Sequence, residues 1–428
     1  MHGVFRYVRS HLSGSGFLAS SSIIFAGSLV VNVFNYIFTL LMSRLLNVEA
    51  FGEVSALLSL LLIISVPASA VSMLMTREGA ARSHDGHAIV RDLFLFLRKH
   101  TLMASLVLWG IFLLCTPLLA RFLHIPIFPF LIFSALIPLS ATSSLQSGTL
   151  QGLQEFWMLS KQNIISAGVK LVVSIALVLA GFSVIGVMFS LVLAQAVAWF
   201  YGRTATRSKL FLDEAAETEG TEYDAKTLSK LFGTLFIATL LITLLSNVDV
   251  LLAKHYLPPA LAGQYGALST IGKIIVYGIG AVTTVLLPMV ASAHARGSGE
   301  ARRVLGLSLA AIAAASAVVF VLFAFFPSFF VSALFGAKYL MISPDLGIMA
   351  CAMGFVGIAT ALINYFIAIR NASFMYWLAL SIAIETVLIA RYHTSLASIA
   401  TMLALSAVIL CVFMGINYRM VVNQKRYS

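Results

Sequence analysis

Twelve long apolar segments account for most of this 428-residue chain, and that repetition fixes its solvent before any chemistry is considered. A membrane-spanning helix needs about 20 mostly apolar residues, because the hydrocarbon core is about 30 Å thick and each helical residue rises about 1.5 Å. Segments that meet this run at 17–41, 54–75, 101–119, 127–147, 163–181, 183–202, 229–253, 264–290, 304–326, 345–369, 373–391 and 396–418. With 60% hydrophobic and 10% charged residues and a mean hydropathy of +1.00, the chain is far more apolar than a soluble domain. The pattern predicts an all-α integral membrane protein with twelve transmembrane helices. The first run, Phe17 to Leu41, is too long for a signal-peptide core and lacks a small-residue cleavage site after it, so it is predicted to stay as helix one.

Lys and Arg orient such a chain, since cytoplasmic loops accumulate positive charge. With the N-terminus inside, twenty of the 27 basic residues fall in inner segments, among them Arg77, Arg82, Arg91, Arg98 and Lys99 in one loop. Only Arg44, Arg121, Lys254, Lys338 and Arg391 fall outside, while Lys170 and Lys273 lie within spans. Both termini are therefore expected in the cytoplasm and the protein in the inner membrane. The net charge of +11 is explained by basic loops beside anionic lipid headgroups, and nucleic acid is not an expected partner. Cys115, Cys351 and Cys411 all lie in spans, which implies neither a disulfide framework nor a metal site.

The polar stretch Thr204 to Thr227 carries Asp213, Glu214, Glu217, Glu219, Glu222 and Asp224 and divides six segments from six. It predicts an N-terminal lobe at 1–203, a cytoplasmic linker at 204–228 and a C-terminal lobe at 229–428. A shift of 211 positions places Ser43–Leu57 on Lys254–Leu268, with Leu46/Leu257, Gly52/Gly263, Ala56/Ala267 and Leu57/Leu268 identical. Both windows follow the first helix of a half. Six helices per half bring both halves in from the same side, so the repeats are expected to be parallel and related by an axis along the membrane normal.

Ser43-Arg44-Leu45-Leu46 followed by Phe51-Gly52, Leu150-Gln151-Gly152-Leu153-Gln154-Glu155-Phe156, and Asp249-Val250-Leu251-Leu252-Ala253-Lys254 with Gly263-Gln264-Tyr265 occur in an order that resembles the oligosaccharide flippases. These form the polysaccharide-transporter branch of the multidrug/oligosaccharidyl-lipid/polysaccharide exporter superfamily, which also holds the multidrug and toxin extruders and the lipid II flippases. The resemblance implies two pseudo-symmetric six-helix lobes in a V, alternating between inward-open and outward-open states, with helices one, two, seven and eight lining the cavity. It implies the movement of a polyprenyl-pyrophosphate-linked oligosaccharide from inner to outer leaflet for surface polysaccharide synthesis. No cofactor is expected, and coupling to H+ or Na+ stays open. Membrane lipids, a polymerase and a chain-length regulator are the partners such a role would bring.

A charge at mid-bilayer costs about 2.5–3.5 kcal/mol on insertion scales, so each one asks for an explanation. Lys273 lies about ten residues into the eighth segment. It reads as a phosphate contact, or as a lysine neutralised by Asp249 that fixes lobe packing. Asp249 reads as a coupling carboxylate, or as a partner of Lys254, Lys273 or Arg44. Glu385 is the other carboxylate within a span. Arg44 and Arg77 flank the expected cavity, and each suits a pyrophosphate or serves as an interfacial anchor. Lys170, about seven residues into the fifth segment, is expected to snorkel towards the cytoplasm. Asn32, Asn35, Tyr36, Ser246 and Asn247 offer amides and hydroxyls to sugars, or to neighbouring helices. Pro67 and Pro138 are expected to kink helices two and four.

Gly266 to Lys273 has the wrong spacing for a phosphate-cradling loop, having five residues between Gly266 and Gly272 and Ile274 after the lysine. His84 and His87 read as a solvated surface, and Gly148 and Gly152 as a helix-packing pair. An extruder of organic cations is the runner-up reading; it predicts carboxylates in the cavity, whereas helix one has no acidic residue and the candidate cavity charges are mainly basic. A glycan polymerase or glycosyltransferase would need a large external loop or an acidic metal site. The longest outer gap, 327–344, is short, and only Glu49 and Glu53 hint at such a site.

Overall fold

A computed structural model describes residues 16–82, 87–211, 225–276, 298–369 and 371–427. Among them ten helices are long and apolar enough to cross a membrane, and a bent pair supplies an eleventh crossing. The eighth expected span is helical over 259–276 and then leaves the described residues. The helical membrane architecture expected from the apolar runs is thus the one observed. Its physical basis is that hydrocarbon offers no partner to a peptide group, so each apolar run must satisfy its own N–H and C=O groups as helix.

In chain order the helices are α1 (Gly16–Leu45), α2 (Val48–Ile64), α3 (Val66–Arg82), α4 (His87–Leu123), α5 (Ile127–Ser134) and α6 (Leu136–Gly152). There follow α7 (Phe156–Leu179), α8 (Ser183–Leu210), α9 (Ala225–Leu245) and α10 (Val248–Tyr256), then α11 at 259–276. The last are α12 (Ser298–Phe325), α13 (Pro327–Leu334), a 3-10 turn at Ala337–Asp345, α14 (Leu346–Ala368), α15 (Phe374–Arg391) and α16 (Leu396–Tyr427).

Several expected loops are helical. The 37 residues of α4 extend well beyond the apolar run at 101–119 and carry Arg91, Arg98 and Lys99 in its first turns. Leu, Arg, Lys and Ala are strong helix formers, so the helix continues past the apolar core. The expected linker is helical to Leu210 and again from Ala225; its six carboxylates lie outside the described residues, as does His84.

Pro67 kinks helix two. Its ring cannot donate to the Ile63 carbonyl, and the helix breaks at Ser65 with a 42° bend between α2 and α3. Pro138 acts more gently, since α5 and α6 are interrupted at Ala135 yet still pass as one span. Between α7 and α8 the turn closes on Gly181, whose φ of +93° lets the Phe182 and Gly181 N–H groups bond the Leu177 and Val178 carbonyls at 3.0 Å each.

The chain divides into two compact units, one of Met1–Leu45 with Ile64–Thr239 and the other of Leu46–Ile63 with Leu240–Ser428. The Pro67 kink thus marks a change of unit, with α2 in the second and α3 in the first. In the first unit α3, α4 and α6 bury Leu74, Met75, Leu93, Phe94 and Leu145 together. Gly148 packs on Ser72, and the Thr76 hydroxyl donates to the Gly148 carbonyl at 3.2 Å, so the expected packing pair is a close helix contact. In the second unit Phe51, Phe335 and Tyr339 form an edge-to-face triad with centroids 5.7–5.9 Å apart, which fixes α2 against the 3-10 turn.

In that unit α2 also crosses α11. A Cβ on Gly52 would lie 2.8 Å from the Gly263 Cα, and one on Gly266 would lie 2.9 Å from the Ser55 Oγ. Positions 52 and 263, and 55 and 266, are both related by the 211-residue shift.

Candidate functional site

Two polar clusters lie within the spans, one in each unit. In the second, the seventh span is interrupted at Ser246–Asn247, where the two N–H groups bond Thr243 and Leu244 carbonyls at 3.3 and 3.1 Å. Asn247 turns its amide back to the Thr243 carbonyl at 2.9 Å. Asp249 therefore occupies the first turn of α10, where the unsatisfied N–H groups of a helix start favour negative charge.

Its Oδ2 accepts from the Tyr265 hydroxyl at 3.0 Å and from the Ser269 hydroxyl at 3.1 Å. Tyr265, Ser269 and Lys273 follow at intervals of four along α11 and share one face. Glu385 arrives on α15, which packs on α10, and is completely buried. Among the described residues, Asp249 Oδ1 and both Glu385 carboxylate oxygens have no hydrogen-bond partner. The two carboxyl groups act on each other electrostatically, and the Lys273 ammonium acts on Glu385.

Two adjacent buried carboxylates cannot both hold full charge without compensation. Lys273 does not form an ion pair with Asp249 among the described residues; tyrosine and serine donate to Oδ2 of that carboxylate. Nor does Lys254 serve it: that side chain, 3% exposed, has Glu53 and Glu49 of α2 as its electrostatic partners. Those two glutamates thus belong to a charge cluster with Lys254.

The first unit holds Asn35, Arg44 and Arg77. Arg44 is exposed in the last turn of α1, and Arg77 is 67% exposed on α3, its guanidinium 4.0 Å from Glu78. Asn35 is drawn into a contact that the sequence did not foretell: its Oδ1 accepts from the Lys170 ammonium, which also lies over the Phe38 ring, 4.6 Å from the centroid. Snorkelling of Lys170 to the cytoplasm is not what the structure shows. Helix α7 begins at Phe156 rather than 163, so Lys170 lies fourteen residues from its start and nine from its end. Gly27 packs on Ser160 and Gly168 on Phe34, so α1 and α7 run side by side in the same direction. Asn35 and Phe38 are level with Lys170 in that register, and the ammonium is held at its own depth.

The six candidates do not form one cluster within either unit. Tyr265, Ser269, Glu385 and Lys170 join them. The four-residue repeat Tyr265-Ser269-Lys273 was visible in the sequence as a polar face; the approach of α15 to α10, and of α7 to α1, had no local signal.

Residues 41–344 match the family model of the polysaccharide biosynthesis proteins, well over half of the chain. The chain belongs to that family. No curated protein matches it in sequence. Among solved structures, the chain is similar to an inward-facing multidrug resistance MATE family transporter of the MOP superfamily, with a TM-score of 0.75 at 12% identity over 93% of this chain and 96% of that one. It is also similar to the lipid II flippase MurJ in an inward closed conformation, with a TM-score of 0.72 at 12% identity over 94% and 87% of the two chains. The Vibrio cholerae MATE transporter VcmN, as its D35N mutant, matches with a TM-score of 0.61 at 12% identity over 95% and 96%. At such identities the likeness establishes the fold alone. These solved structures are of transporters and a flippase.

Proposed function

We infer that this protein is a flippase that moves polyprenyl-pyrophosphate-linked oligosaccharides from the inner to the outer leaflet by alternating access. The observation that carries the reading is the family match over residues 41–344 on a chain made of membrane helices. A polysaccharide biosynthesis protein with the fold of exporters has a direct task in that synthesis: its sugars must cross hydrocarbon, and every desolvated charge and hydroxyl must be compensated on the way. The charge inventory agrees. Helix α1 carries Arg44 and no acidic residue, and Lys170 adds a cation beside it, which suits an anionic cargo.

Outward movement of two negative charges against an inside-negative potential is favoured by about 4.6 kcal/mol at 100 mV, from roughly 2.3 kcal/mol per charge. The Asp249–Glu385 pair supplies a second source of direction, by exchanging a proton or Na+ as the lobes alternate. In this scheme Lys273 adjusts the charge of that pair, while Arg44 and Arg77 draw the pyrophosphate towards the protein. The termini and the basic loops lie in the cytoplasm.

The test is translocation of a fluorescent lipid-linked oligosaccharide in proteoliposomes under imposed voltage, proton and sodium gradients, with a cationic dye as alternative cargo. Glycolipid movement that responds to voltage or to one gradient supports the reading. Dye export without glycolipid movement would make the protein a drug extruder, for which the buried carboxylate pair would be the cation site.

A further inference from the structure

Lys170 enters the reading above only as a cation beside α1, yet it is the charged group in the first unit that most needs a specific role. Lys170 and Asn35 lie nine and ten residues, roughly 14–15 Å, from the C-terminal ends of α7 and α1, so a hydrocarbon core about 30 Å thick that begins at those ends has both near its middle. Among the described residues no carboxylate pairs with the ammonium. It has one amide acceptor and an aromatic face, from Asn35 and Phe38. An ammonium has three donors, so this arrangement orients the cation and leaves donor capacity unused. A lysine whose task was packing alone would be expected beside a carboxylate, because neutralising it inside the bilayer is worth several kcal/mol.

The same α1–α7 seam widens two helical turns from Lys170 into a cleft of about 140 Å³ lined by Ser28, Asn32, Ser160 and Asn163 together with Gly27 and Leu159. Ser28, Asn32 and Asn163 are exposed. An exposed amide such as Asn32, inside the span Phe25–Leu45, is poorly suited to face lipid, so this face of the seam opens onto water or a polar ligand. Gly27 keeps the cleft's floor closed, since a side chain there would meet Ser160. A fixed cation thus sits about 10 Å along the seam from a hydroxyl- and amide-lined cleft.

We propose that the α1–α7 seam is a headgroup subsite: Lys170, aimed by Asn35, takes a phosphate of the lipid-linked cargo, and the Ser28/Asn32/Asn163 cleft takes the adjoining sugar hydroxyls. The subsite rests on the flippase reading and adds to it the residue that meets the charge. It differs from the sequence-based expectation, which gave the phosphate to Lys273, Arg44 or Arg77.

The test is binding of undecaprenyl pyrophosphate and of inorganic pyrophosphate to the full chain in nanodiscs of zwitterionic lipid. Wild type is compared with Lys170→Met, Lys170→Arg and Asn35→Asp, each checked for an unchanged melting profile. Loss of a charge-assisted contact to phosphate predicts roughly ten- to hundredfold weaker binding in Lys170→Met and near-native binding in Lys170→Arg. Asn35→Asp keeps the lysine but gives it an internal anion, so it should also lose affinity while tolerating heat at least as well as wild type. Loss in both variants with the prenylated probe alone assigns the site to the lipid-linked headgroup. Parallel loss with inorganic pyrophosphate assigns it to the phosphate without its lipid. Wild-type binding that survives Lys170→Met and Asn35→Asp overturns the subsite and leaves the flippase reading standing. A wild type that binds neither probe overturns both.

Discussion

Gly263→Ala tests the crossing of α2 and α11 with a single methyl group. A Cβ there would collide with the Val48 carbonyl oxygen and fall 2.7 Å from its carbon, against the 3.4 Å at which ordinary contact begins. The obstacle is backbone, so no side-chain rotation relieves it, and the helices must part at that point. Overpacking of this kind costs about 1–3 kcal/mol, opposed by about 1 kcal/mol from the better helix propensity of alanine. The same substitution at Gly415 in α16, where an added Cβ would meet nothing within 4 Å, isolates the propensity effect. In detergent, Gly263→Ala is expected to lower the apparent Tm by several degrees, and Gly415→Ala to leave it level or raise it slightly. Because Gly52 is the repeat-equivalent residue, with a Cβ 2.8 Å from the Gly263 Cα, Gly52→Ala should reproduce the loss in milder form. Equal melting temperatures for Gly263→Ala and Gly415→Ala would refute the tight crossing.

Tyr265→Phe removes one of the two donors to a buried carboxylate and should cost about 1–3 kcal/mol, read as a lower melting temperature. It should be partly rescued in the double variant with Asp249→Asn, which no longer presents a charge to satisfy. Glu385→Gln removes a buried acidic group that lacks a hydrogen-bond partner among the described residues, so stability should be level or higher; glycolipid transport should lose its response to whichever of the proton or sodium gradients drives the native protein. Pro67→Ala restores a donor for the Ile63 carbonyl and should straighten the 42° bend, which spin-label distances across Ser65 would record as lengthening.

The sequence by itself determined that this is a multi-pass helical membrane protein, because apolar length and backbone satisfaction in lipid leave no other solution for runs such as Leu102–Leu119 or Ile312–Phe325. It also determined the Pro67 kink, whose cause is confined to one turn, and it marked Asp249 as a carboxylate in a span needing an explanation. The family followed from the order of its motifs. What neighbours each polar residue was decided only in three dimensions. Lys170 and Asn35 are 135 positions apart, and Asp249 and Glu385 are 136 apart; no local propensity encodes such meetings. Helix periodicity states which face a side chain occupies but not which helix faces it. Lys273, read from sequence as a phosphate contact or as a partner of Asp249, has Glu385 as an electrostatic neighbour, and a lysine expected to reach for the cytoplasm is held by an asparagine and a phenylalanine. Burial and span assignment depend on properties summed along the chain, whereas charge compensation depends on contacts across it.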